Sequence, residues 1–198
     1  VPPHYIENIK KELNTNYVDA FGGADLAAKD FNALQKAISY SMTSFFTTGG
    51  IRGNKKAVDR FQPRSFNMGV SKEAFDAVGG FSELRVGEDP DLSMSLWEKG
   101  FQTRFFPECS VFHKRRTSLK KFSGQVYHFG IARPILNQRH PEYVKITFWF
   151  PSLFLIFTLC SLVVSLFQWT LIIPLVFYCG ILFVDSTLKN KSLFIGTL

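Results

Sequence analysis

The stretch from Phe66 to Gly80, FNMGVSKEAFDAVGG, decides the fold. Phe66-Asn67-Met68-Gly69-Val70 reads as a strand, and Ser71 caps a helix that carries Glu73 and Ala74 in its first turn. Gly79-Gly80 stops that helix. Downstream, DLSMSLWEKG (residues 91–100) is a second helix opened by Asp89 or Asp91 and ended at Gly100. FQTRFF (101–106) is a strand halted by Pro107, and Ser110-Val111-Phe112 is a last short strand. Upstream, YIENIKKELN is a helix behind Pro2-Pro3, residues 17–21 are a strand ended by Gly22-Gly23, and residues 26–46 read as one long helix with Leu26, Phe31, Leu34, Ile38 and Met42 on one face. Strand and helix alternate, so the first 112 residues predict an α/β fold of three layers with a largely parallel sheet. Only three or four strands are visible, fewer than a complete nucleotide-binding half requires. The chain begins with Val rather than Met, and the expectation is a C-terminal piece of a longer domain that has been cut at its N-terminal side.

Charge separates the 198 residues into three regions. The net charge is +7, yet residues 1–112 are nearly neutral; the excess lies in residues 113–145, and 146–184 hold no charged residue at all. That apolar run is long enough for two spans, roughly 146–167 and 170–187, turning at Gln168-Trp169. Arg133, Arg139 and Lys145 precede it and Lys189 and Lys191 follow, so the positive-inside rule puts both flanks in the cytosol. Within the basic stretch, Phe122, Val126, Phe129 and Ile131 interleave with Lys120, Lys121, His128 and Arg133, which predicts an amphipathic helix on an acidic membrane surface. A nucleic-acid binder could carry such charge, but the adjoining hairpin argues against it. Cys109, Cys160 and Cys179 form no metal or disulfide pattern and read as small buried apolar residues in a reducing compartment.

The chemistry gathers in Gly87-Glu88-Asp89-Pro90-Asp91. A helix start favours acids through its dipole and free N–H groups. In one reading Asp91 caps the helix while Asp89, on the loop before it, faces a cleft as a general base. In the other, the cluster does nothing but cap. An EF-hand is excluded, since Met94 and Gly100 stand where Gly and Glu are needed. Thr48-Gly49-Gly50-Ile51-Arg52-Gly53 lacks the Lys-Ser/Thr of a phosphate loop and reads as a mobile acceptor-side loop.

The ordered string Phe66–Phe75, Val78-Gly79-Gly80-Phe81, Gly87–Ser93, Gly100-Phe101, Pro107, Val111, His113 and Arg116 resembles the acceptor half of family 2 glycosyltransferases. The basic linker and hairpin resemble its membrane-attached members. The resemblance implies a partial GT-A domain at 1–115, an amphipathic juxtamembrane segment at 116–145, a transmembrane hairpin at 146–187 and a cytosolic tail at 188–198. It implies inverting sugar transfer from a nucleotide-diphosphate donor to a hydroxyl of a lipid-linked or polysaccharide acceptor, at the cytosolic face of the cell membrane, in cell-envelope polysaccharide synthesis. Asp89 would be the catalytic base. Glu88, Asn67 and Gly80 would contact the acceptor, Arg116 and Arg115 the diphosphate, and His113 a divalent metal (Mg2+ or Mn2+). The family's D-x-D motif, which holds most of that metal, is expected upstream of Val1, and the piece alone is expected to be inactive. The Q-x-x-R-W string of processive synthases has no clear counterpart at Gln125. A non-catalytic adaptor docking on acidic lipids is the alternative.

Overall fold

A computed structural model describes residues 1–26, 30–48 and 60–196. The chain divides into two compact units, Val1–Tyr143 and Val144–Leu198. The first holds helix α1 (Tyr5–Thr15), strands β1 (Ala20–Gly22) and β2 (Asp25–Leu26), helices α2 (Ala33–Thr43) and α3 (Phe45–Thr48), strand β3 (Met68–Val70), helices α4 (Lys72–Ala77) and α5 (Glu88–Glu98), strands β4 (Thr103–Phe105) and β5 (Val111–Phe112), and helix α6 (Leu119–Arg139).

The sheet β3-β1-β4 is mixed: β1 runs antiparallel to β3 and parallel to β4. A second parallel pair joins β2 to β5. Side chains alternate along β1, so Ala20 and Phe21 serve opposite faces. Ala20 packs with Ala74, Leu92 and Leu96, which brings α4 and α5 to one face. Phe21 packs with Val18, Phe106, Cys109 and the Tyr5, Ile9 and Leu13 stripe of α1 on the other. The Phe21 and Phe106 rings stack at 4.6 Å. Their packing needs small neighbours: a Cβ on Gly69 would lie 2.2 Å from the Phe21 ring, and one on Gly23 would lie 1.7 Å from the Cys109 carbonyl oxygen.

Several expectations are corrected. The long helix read over 26–46 begins only after Asn32, because Asn32 and Gln35 form a reciprocal capping box; Asp25–Leu26 is strand instead. Of the three strand pairings among the described residues, β1 with β4 and β2 with β5 are parallel and β1 with β3 is antiparallel. The segment Thr48–Gly53 lies outside the described residues apart from Thr48. The expected juxtamembrane helix exists as α6, capped by the Ser118 hydroxyl, but it belongs to the first unit, and its Ala132 and Leu136 are buried. Val126, Tyr127, Phe129, Ile131 and Ile135 remain exposed on several sides of it, so no single apolar face emerges.

The second unit is a helical hairpin. Helix α7 (Phe150–Val164) follows a turn of 3-10 helix, and α8 (Ile173–Asn190) follows another at Trp169–Ile172; α9 (Leu193–Gly196) is a last short turn. Ile146–Val164 and Trp169–Asn190 are long and apolar enough to cross a membrane, each with mean hydropathy 2.0. The reversal falls at Gln168-Trp169, as the sequence predicts. α8 outlasts the expected end at 187 by three residues, helped by an ion pair of 2.8 Å between Lys189 and Asp185. The Phe154 and Tyr178 rings meet across the hairpin. Cys160 and Cys179 are exposed on its surface rather than buried; only Cys109 is buried.

Candidate functional site

The acid cluster opens α5. Gly87 is the N-cap, with φ at 92°, a left-handed conformation that glycine tolerates best. Glycine is needed there twice over, since a Cβ would press within 3.1 Å of Ala132 and 3.3 Å of Leu136. Glu88 and Asp89 are therefore the first helical residues, and Asp89 stands in the first turn rather than on a loop before it. The helix dipole favours both as carboxylates. Asp91 is no cap: it is buried, with Nη1 of Arg139 at 3.1 Å from Oδ2 and Nε2 of His140 at 3.0 Å from Oδ1.

A four-residue turn, Arg64 to Asn67, holds the cluster from the other side. It is closed by the Asn67 N–H donating to the Arg64 carbonyl at 2.7 Å. At its corner the Ser65 N–H donates to Asp89 Oδ1 at 3.0 Å. Among the described residues no other hydrogen bond to the Asp89 carboxylate is seen, and the residue is half-exposed. Arg64, half-buried, sits in the field of Asp89, Asp25 and Glu88: burial pushes its guanidinium down, and the three carboxylates pull it back up. Burial likewise pushes Arg133 down, with repulsion from Arg64 adding to it. The next corner, Phe66, stacks on the His113 imidazole with 3.9 Å between centroids. One turn thus joins the acid at 89 to the histidine at 113.

The other expected residues are placed as follows. Asn67 is buried; its Nδ2 donates to the Cys109 carbonyl at 2.9 Å and its Oδ1 accepts from the Tyr5 hydroxyl at 2.5 Å, so its amide ties β3 to α1 and the β4–β5 loop. Gly80 ends α4 with φ at 75°, its N–H on the Phe75 carbonyl, away from the turn's hydrogen bonds. Arg115 is buried in an ion pair with Asp25 at 2.6 Å, its Nε near the Ser39 hydroxyl at 3.4 Å, while Nη2 has no partner among the described residues. Arg116 is exposed and donates to Gln125 of α6. Trp97 is core, with its indole N–H on Thr103.

Among the described residues no three His, Cys, Asp or Glu side chains gather closely enough to hold an ion by themselves, and His113 stacks its ring face on Phe66. Sequence reading missed Arg64, the Ser65 N–H, Asp25 and His140. Arg64 lay in a basic loop with no spacing to distinguish it, and a backbone N–H leaves no mark in a sequence.

The chain matches the family described as Glycosyl transferase family group 2 over residues 1–184, and it belongs to that family. Among curated proteins it is similar to the succinoglycan biosynthesis protein ExoA of Rhizobium meliloti (strain 1021), 25% identical over 133 residues, which is 67% of this chain and 40% of ExoA. It is also similar to the pre-mycofactocin glycosyltransferase of Mycobacterium tuberculosis, 38% identical over 66 residues, which is 33% of this chain and 14% of that protein. The chain therefore spans less than half the length of the relatives it matches. No solved structure matches it.

Proposed function

We propose that this chain is the acceptor-side part of a membrane-bound, inverting glycosyltransferase of GT-A type. It works on a nucleotide-diphosphate sugar and a hydroxyl of a lipid-linked or polysaccharide acceptor. The observation that carries the reading is the Asp89 carboxylate: fixed by the Ser65 N–H on one oxygen, half-exposed, and set in a helix N-terminus.

The acceptor hydroxyl would give its proton to Asp89 as its oxygen attacks the anomeric carbon. The bond from that carbon to the diphosphate breaks on the opposite face, its electron pair leaves with the diphosphate, and the configuration inverts. Proton transfer of this kind contributes about 10²–10⁴-fold to rate. Glu88 beside it would bind a second acceptor hydroxyl. Arg116, exposed, suits the leaving diphosphate, since guanidinium matches phosphate geometry. Arg115 can add only its unpartnered Nη2, because Asp25 and Ser39 occupy the rest. Asn67 and Gly80 act on the acceptor site only through the backbone they shape. His113 would help hold a divalent metal, and no step is routed through that metal. The apolar hairpin would anchor the chain, with Lys120 and Lys121 of α6 toward anionic headgroups and both flanks in the cytosol.

The test uses the full-length protein in its native membranes, supplied in turn with radiolabelled nucleotide sugars. Transfer of label into glycolipid or polysaccharide, with an inverted anomeric configuration by NMR, is the expected result. A retained configuration, or no transfer from any common nucleotide sugar, would overturn the proposal.

A further inference from the structure

The last two turns of α6 and its C-cap grip the length of α5 through one row of side chains. Ala132 and Leu136, four residues apart, share one face of α6, and His140 follows as its C-cap. They meet Gly87, Asp91 and Glu98 of α5. Ala132 and Leu136 press on Gly87 at the helix start. His140 lies between two carboxylates: Nε2 is 3.0 Å from Asp91 Oδ1 and Nδ1 is 2.6 Å from Glu98 Oε1. The imidazole and the Asp91 carboxylate each keep only 5% of their surface exposed. Arg139 fills the remaining oxygen of Asp91 at 3.1 Å. Each ring nitrogen of His140 thus faces one carboxylate of α5.

A buried ionic group of this kind adds little net stability against an apolar pair of the same shape. What it supplies here is a fixed rotation of α5. At 3.6 residues per turn, position 89 lies about 160° around the helix from position 91. Holding Asp91 toward α6 therefore turns Asp89 away from α6, to the side where Ser65 donates to it.

We propose that His140 is a positioning residue for the Glu88-Asp89 pair: by bridging Asp91 and Glu98 it sets the rotation of α5 that aims Asp89. This rests on the reading of Asp89 as the base. His140 stands six residues before the apolar run that opens at Ile146.

The experiment compares full-length wild type, His140→Ala and His140→Gln. For His140→Ala the expected kcat is about 10- to 100-fold lower, the range a small misplacement of a reacting group produces, with donor KM within twofold. Added imidazole, filling the space left, restores part of the kcat. His140→Gln keeps volume and one donor and falls between, which guards against a collapse of the alanine variant. Amide hydrogen exchange speeds up at residues 88–92 while residues 74–77 of α4 stay protected. A kcat within twofold of wild type, or loss of protection in α4 and α5 together with loss of donor affinity, overturns the proposal. Failure of the base itself shows up separately, as transfer that survives Asp89→Asn while exchange at 88–92 still responds to His140.

Discussion

Replacing Asn67 by alanine separates a structural amide from one that meets substrate. The side chain is 3% exposed and spends both ends inside the fold, on the Cys109 carbonyl at 2.9 Å and the Tyr5 hydroxyl at 2.5 Å. The variant strands both partners and removes the link between α1 and the strand layer. A buried group left without its partner costs about 1–3 kcal/mol. Two such groups, of which Tyr5 can turn toward water, put the loss at roughly 2–5 kcal/mol. For a unit of this size each kcal/mol is worth about 2–6 °C, so the melting temperature should drop by roughly 5–20 °C. The assay is thermal unfolding of the purified full-length protein in detergent, followed by near-UV circular dichroism, beside an acceptor KM measured well below the new midpoint. A midpoint within 2 °C of wild type with a raised acceptor KM would refute the structural assignment and return Asn67 to the acceptor site.

Gly23→Ala should prevent folding of the first unit, because its Cβ would sit 1.7 Å from the Cys109 carbonyl oxygen, which is backbone and cannot swing aside; soluble, natively melting protein would refute the close approach. Cys109 tests burial by pH. Its thiol is pushed from the ordinary 9.0 up to about 11, chiefly by burial and secondarily by Glu12 and Glu108. The folded state thus holds its proton more tightly than the unfolded chain, so this group's stabilisation is full below pH 9 and fades between about 9 and 11. Iodoacetamide at pH 9 should accordingly leave Cys109 unmodified in the native protein, by mass spectrometry, and label it in urea; native labelling would contradict the burial.

What the sequence disclosed was local. Ser71 capping α4 and Gly79-Gly80 ending it were legible because the cap and the left-handed glycines are decided within a few residues. The turn of the hairpin at Gln168-Trp169 was legible for the same reason. The roles that escaped are set by contacts far along the chain. Capping preference assigned Asp91 to the start of α5, but Ala132 and Leu136 press on Gly87 and move the start back to it, and Asp91 is drawn inward by His140, 49 residues away. Asn67, beside an exposed Phe66, gave no sign of burial, since its partners lie 62 and 42 residues off. Asp89 itself was legible as a candidate, whereas the Ser65 N–H and the Arg64 charge that frame it depend on a turn closed by tertiary packing.

The most direct test of Asp89 as the base is the rate of sugar transfer by Asp89→Asn in the full-length protein. Asparagine keeps an oxygen for the Ser65 N–H, so the turn and the fold should survive while the proton acceptor is lost. The account expects kcat to fall by about 10²–10⁴-fold with nucleotide-sugar affinity unchanged. Transfer within a few-fold of wild type would contradict it.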